Sequence, residues 1–142
     1  MGESNELFDL KNYFFIGNYQ TAINEAMNIN PKSLSEYNKL QRDLYMYRSY
    51  IAKGNYKFVL TEIDDSATIP LLVVKLLASY LATPENKEEA LTKLKKWLSE
   101  GIIGNDSKIL QVIGATIYYH EENYEEAMRC VYQSDSLEGL VE

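Results

Sequence analysis

Four stretches of this chain align without a gap: Asn18-YQTAINEA, Asn55-YKFVLTEI, Asn86-KEEALTKL and Asn123-YEEAMRCV. Each opens on Asn. Three continue with Tyr, and Lys87 stands in the other. The fifth position holds Ala22, Val59, Ala90 and Ala127, always small or β-branched. The sixth holds Ile23, Leu60, Leu91 and Met128, and the last Ala26, Ile63, Leu94 and Val131. Apolar positions three or four residues apart share one face of a helix, so each stretch predicts an amphipathic helix. The leading Asn predicts a side-chain cap on its first free N–H groups.

Working outward, another helical pattern precedes each stretch: Leu7 to Ile16, Arg42 to Lys53, Leu71 to Ala82 and Lys108 to His120. Gly17 and Gly54 close the first two, because glycine accepts the left-handed conformation that ends a helix. Pro31, Pro70 and Pro84 fall in or beside connections. The unit is therefore a helix, a turn and a second helix. The asparagines stand 37, 31 and 37 residues apart. A two-helix unit near this period, with Gly-Asn-Tyr in the turn and Ala three residues after the Tyr, is the tetratricopeptide signature. The small residue lets the second helix sit tight on the first, and Ala22 and Ala127 are expected to pack closely there. The expected fold is all-α: a tetratricopeptide-like helical-repeat solenoid of about four helix pairs, forming a single array over residues 1–142. The repeats run at about 4–31, 36–66, 69–100 and 105–133, and 134–142 start a further helix behind the cap Ser134-Asp135-Ser136.

Composition narrows the function. Apolar residues make up 46% and charged residues 25% of the 142 residues, which suits one globular domain with a core rather than a disordered chain. The 12 tyrosines suit half-buried positions between helices, with an apolar ring and a polar tip. A net charge of −7 argues against nucleic acid, whose phosphates demand clustered Lys and Arg. Cys130 is the sole cysteine, so no intrachain disulfide can form, as expected in a reducing compartment. The N-terminus lacks the basic and apolar regions of a signal peptide, and Glu6 stands where a myristoylation motif needs Ser or Thr. The longest apolar run, Ile69 to Ala78, is interrupted by Pro70 and Lys75 and is too short to span a membrane. The expected location is the cytosol.

Catalytic patterns are missing. His120 and Cys130 are the sole His and Cys, and they lie on opposite sides of a turn. His120 reads as a helix-end residue and Cys130 as a small apolar packing residue. Gly101-Ile-Ile-Gly104 is too poor in glycine for a phosphate loop. The pairs Glu88-Glu89, Glu121-Glu122 and Glu125-Glu126 are expected in the first turns of second helices, where they favour the helix N-terminus. No enzyme, no metal and no cofactor is expected.

Stacked helix pairs turn their first helices toward an inner face that can hold an extended partner segment. Counting back from each Asn gives Leu7, Lys11 and Phe14, then Leu44, Arg48 and Ile51, then Lys75 and Ser79, then Val112, Thr116 and Tyr119. The partner-binding residues predicted from this register are Lys11, Phe14, Leu44, Arg48, Ile51, Lys75 and Tyr119. One subclass of such arrays clamps a C-terminal carboxylate with Lys and Asn on the first helices. Here Leu7, Lys11, Leu44 and Arg48 occupy the corresponding places without the Asn residues, which argues against a chaperone-tail clamp.

Beyond the repeat, Glu6-LFDLKNYFFIGNYQTAINEA, Arg42-DLYMYRSYIAKGNYKFVLTEI, Ala78-SYLA and Ala115-TIYYHEENYEEAMRCVYQSDSLE together resemble the epsilon subunits of coatomer, the COPI vesicle coat. That resemblance implies a tetratricopeptide array curled around the C-terminal region of the coatomer alpha subunit. It implies a β-hairpin-like partner segment held inside and a role in Golgi-to-ER vesicle transport. It further implies indirect contact with other coatomer subunits and membrane contact only through the assembled coat. The family's members run well beyond Glu142, so the chain reads as their N-terminal part. The alternative is a tetratricopeptide adaptor outside coatomer that binds another linear peptide.

Overall fold

The structure is a computed structural model that describes residues 2–101 and 105–132. Ile102 to Gly104 and the expected helix start at 134–142 lie outside the described residues. Eight α-helices are found among the described residues, and no strand. They are α1 (Gly2–Phe15), α2 (Tyr19–Asn28), α3 (Glu36–Ala52), α4 (Tyr56–Glu62), α5 (Ile69–Ala82), α6 (Lys87–Ser99), α7 (Asn105–His120) and α8 (Tyr124–Tyr132). This is the all-α arrangement of helix pairs expected from the repeat. The first helices begin earlier than the apolar pattern alone indicates: α3 starts at Glu36, where the Ser35 hydroxyl accepts from the Asn38 N–H at 3.1 Å.

The chain divides into two compact units, Met1–Ala67 and Thr68–Glu142. In the first, α1 packs on α2 and α3, and α3 also packs on α2 and α4. Leu7, Leu10, Ala22 and Ala26 form a buried cluster, and Tyr13, Phe14, Ile29, Tyr45 and Met46 close over it. Ala22 is wholly buried, as its place in the repeat requires, and Val59 is equally buried despite its branch. In the second unit, α5 packs on α6 and α7, and α7 packs on α8. Tyr80 of α5, Leu94 of α6, and Ile113 and Ile117 of α7 are among its largest buried side chains.

Three of the four turns are built alike. In each, the second residue after the helix has positive φ: Gly17 at 84°, Gly54 at 86° and Glu122 at 61°. Its N–H donates to a carbonyl three residues back, Phe14, Ile51 or Tyr119. The following Asn donates its N–H to a tyrosine carbonyl five residues back: Asn18 to Tyr13, Asn55 to Tyr50 and Asn123 to Tyr118, each at 2.9 Å. This paired closure is the Schellman motif, which satisfies carbonyls that the helix end leaves free. Glycine adopts positive φ freely, whereas Glu122 carries the steric strain of its Cβ. The third turn has no such closure. There Thr83 is extended and Pro84–Asn86 form a 3-10 turn before α6.

The expected Asn caps need correcting. The side chains of Asn18, Asn55 and Asn86 make no cap hydrogen bond. Asn18 and Asn55 hold ψ at 73° and 58°, away from the extended geometry in which a side chain reaches back over the first turn. Their carbonyls accept from the N–H groups of Ala22 and Val59, the ordinary first helical bonds, as that of Asn123 does from Ala127. Only Asn123 caps with its side chain, accepting from Glu126 N–H at 3.3 Å. Glu121 and Glu122 lie in the turn rather than in the first turn of α8, because α8 starts at Tyr124. Ala127 is half-buried rather than tightly packed. The close approach of α7 and α8 falls at Gly114, where an added Cβ would stand 3.1 Å from Cys130 Sγ and 3.4 Å from a Leu94 methyl.

Candidate partner-binding faces

Each unit presents its own patch of the counted residues. In the first unit, Phe14 ends the α1 core stripe and Arg48 reaches it from α3. The Arg48 guanidinium carbon stands 4.7 Å from the Phe14 ring centre and 5.7 Å from that of Tyr45. The Phe14 ring meets Tyr45 edge-on at 5.2 Å, Phe15 at 5.2 Å and Tyr19 at 5.8 Å. Such edge-to-face pairs and a cation over a ring face are each attractive through the ring quadrupole. Burial among these rings pulls the Arg48 pKa down from its ordinary value, and the neighbouring phenols of Tyr45 and Tyr19 oppose it. Burial likewise pushes the Tyr45 phenol up, with Arg48 opposing.

Lys11 lies half-buried on α1, one turn before Phe14. Leu44 and Ile51 are each 5% exposed, so as the chain stands they belong to the core instead of offering surface. Leu7 is likewise core. On α1, Phe8 and Phe15 are exposed, Phe15 to 68%.

In the second unit, Tyr119 is 64% exposed and meets Tyr124 edge-on at 5.4 Å. Val112 is exposed on α7, while Thr116 is half-exposed with its hydroxyl bonded to the Val112 carbonyl at 2.9 Å. Lys75 and Ser79 are half-buried on α5. The register explains one recurrence. Phe14 and Tyr119 each stand four residues before their turn Asn, and Tyr19 and Tyr124 one residue after it. Both turns therefore carry an aromatic pair across them.

The counted register does not include Tyr19, although the Tyr repeated after three of the four Asn is the signal for it. It does not include Tyr80 either. Tyr80 is 1% exposed, yet its hydroxyl donates to the Glu121 carboxylate at 2.5 Å. Lys87 Nζ lies 5.5 Å from its ring centre, and His120 meets the ring edge-on at 6.3 Å. Burial, followed by the bond to Glu121, pushes the Tyr80 phenol well above its usual range. This cluster ties α5 to the start of α6 and to the turn after α7.

Nothing in these patches is built for bond chemistry. Among the described residues no group of His, Cys, Asp and Glu could hold a metal ion. Cys130 is buried and its thiol is pushed up to about 11, chiefly by burial, so it is a poor nucleophile. A shallow groove of about 460 Å³ in the second unit is lined by Leu91, Lys95, Tyr118, Glu121, Asn123 and Glu126. No described helix is long and apolar enough to cross a membrane.

The coatomer epsilon subunit family matches residues 3–141. The chain belongs to that family. It is 46% identical over 132 residues to coatomer subunit epsilon-2 of Arabidopsis thaliana, covering 93% of this chain and 44% of that one. It is 42% identical over 139 residues to coatomer subunit epsilon of Dictyostelium discoideum, covering 94% and 46%. With coatomer subunit epsilon of Caenorhabditis elegans it shares 33% identity over 137 residues, covering 96% and 46%. The chain thus spans slightly less than half the length of these coatomer epsilon subunits.

Proposed function

We propose that the chain acts as a non-enzymatic scaffold of the COPI coatomer, holding an extended segment from the C-terminal region of the coatomer alpha subunit. It thereby supports Golgi-to-ER vesicle transport. Its place is the cytoplasm, and it is peripheral on Golgi membranes and COPI vesicles when the coat is assembled. Other coatomer subunits are reached through the alpha subunit, no cofactor is needed, and the membrane is met only through the coat. Membership of the coatomer epsilon family carries the reading. The aromatic patches support it, because rigid rings and Arg bury large surface at small entropic cost. Lys11, Phe14, Arg48, Lys75 and Tyr119 are the proposed contact residues, while Leu44 and Ile51 are buried on the same helix as Arg48.

The test is titration calorimetry with the C-terminal region of the coatomer alpha subunit. Arg48→Ala together with Tyr119→Ala is expected to weaken binding at least thirtyfold, about 2 kcal/mol, with helix content unchanged by circular dichroism. Lys95→Ala on α6 is expected to change it little. Binding by the double variant as tight as wild type would refute the assignment of these faces.

A further inference from the structure

We infer that Arg48 is a socket for a carboxylate: the segment held on the first unit presents an Asp or Glu side chain to the in-plane N–H donors of the guanidinium. This rests on the partner-holding reading above and adds the chemistry of the contact. The chain has three arginines. Arg42 is paired with Asp43 at 2.9 Å and Arg129 with Glu126 at 3.1 Å. Arg48 makes no ion pair and no hydrogen bond among the described residues, although the chain carries 21 Asp and Glu. The buried side-chain nitrogens and oxygens of the described residues all have partners, so the unsatisfied Arg48 nitrogens reach solvent.

Geometry says what they can take. The guanidinium carbon stands over the Phe14 and Tyr45 rings, 4.7 and 5.7 Å from their centres. The N–H donors of a guanidinium point outward in its plane and present an edge. A carboxylate matches that edge with two parallel hydrogen bonds, stronger than neutral ones and stronger again beside apolar rings than in water. Burial already weakens the hold of Arg48 on its proton, and an anion at its edge would reverse that effect. Lys11, one turn before Phe14 and also without an ion pair among the described residues, adds positive potential on the same helix. The exposed ring of Phe15, 5.8 Å from Tyr45, gives an apolar neighbour for the residue beside the acid. A phosphate is the poorer match. It brings nearly two negative charges to a chain of net charge −7, where one Arg and one Lys are a small cationic complement.

The test is selection of a random twelve-residue peptide display library on the full chain, in parallel with Arg48→Gln and Arg48→Lys. The expected result is enrichment of Asp or Glu beside an apolar residue on wild type, lost on Arg48→Gln. Arg48→Lys should keep a weakened acidic preference, as a point charge without the bidentate fork. A selected peptide should lose at least about thirtyfold in affinity when its acid is changed to the amide. The same amide change should cost almost nothing further on Arg48→Gln. Library selection with no acidic preference, or with one that survives Arg48→Gln, would overturn the inference. So would a selected peptide that binds only with phosphoserine in place of its acid. None of these readouts uses the alpha subunit, so loss of the coatomer reading and loss of the carboxylate socket are separate outcomes.

Discussion

Gly114→Ala sets two effects of similar size against each other where α7 meets Cys130 of α8. In the middle of α7, replacing Gly by Ala gains about 1 kcal/mol of helix propensity. The new methyl, however, would sit 3.1 Å from Cys130 Sγ, closer than ordinary contact, and 3.4 Å from the Leu94 methyl, at its limit. Cys130 is 2% exposed and cannot swing into solvent. Forcing one extra carbon into such a contact costs about 1–3 kcal/mol. The net expectation is a loss of about 0–2 kcal/mol. Cys130→Ala removes the sulfur that obstructs the methyl. In that background the same Gly114→Ala should stabilise by about 1 kcal/mol, a coupling of about 1–3 kcal/mol. The assay is urea unfolding of wild type, both single variants and the double variant. Trp97 is the sole tryptophan and lies on α6, so its fluorescence reports the second unit, while circular dichroism reports all helices. Additive single effects would refute the claim that Gly114 exists to admit Cys130.

Three further outcomes follow from the same packing. Ala22→Phe places a ring where the present side chain is wholly buried between α1 and α2, and should lower stability by about 1–3 kcal/mol or more; a wild-type melting temperature would show the repeat register to be wrong. Glu122→Gly removes a side chain held at φ 61° and should raise stability by about 1 kcal/mol in urea melts, whereas Gly17→Ala at φ 84° should lower it. Tyr80→Phe removes the hydroxyl bonded to exposed Glu121 and should lower stability by about 1 kcal/mol near neutral pH. Because the folded phenol is raised above its unfolded value of 10.0, the unfolded chain loses that proton first, so stability is full below pH 10 and falls as pH rises beyond it. Urea melts across that range should show a shallower fall for Tyr80→Phe, and equal slopes would refute the raised phenol.

The helix pairs are legible in the sequence because two independent signals agree. Apolar spacing marks the faces, and Gly17-Asn18 and Gly54-Asn55 mark the stops. The role of the Asn is hidden for a physical reason. A sequence shows a side chain that can cap, but not the ψ that decides whether it points at the next turn. In these turns the backbone of Asn closes the previous helix, and its identity matters less than its position after a residue of positive φ. Glu122 shows the same separation of position from identity. The closure forms there without glycine, so a search for Gly-Asn alone misses a turn with the same hydrogen bonds. Gly114 is not legible, because a lone glycine inside a helix carries no periodic signal; its use emerges only when Cys130 is seen against it.

The partner face is legible in part, and the missing part has a definite cause. Counting by three and four puts Leu44, Arg48 and Ile51 on one stripe of α3, but a stripe has no height. α3 packs on α1, α2 and α4, so its buried sector is wide, and Leu44 and Ile51 fall inside it. An arginine in the same stripe must either find a carboxylate or lay its stem over apolar neighbours and keep its head near water. Phe14 and Tyr45 provide the second route, and no described carboxylate provides the first. Among the described residues, burial of this cation is therefore tolerated through the rings, with no ion pair at its N–H donors. If those donors serve a partner, replacing Arg48 by a neutral residue of similar shape should leave the fold as stable as before, or more so, while binding is lost. Arg48→Met is that replacement: urea midpoints at or above wild type, with weakened partner binding, are expected. A large loss of stability instead would show that Arg48 is held for the packing of α1 on α3, and the binding role would fall.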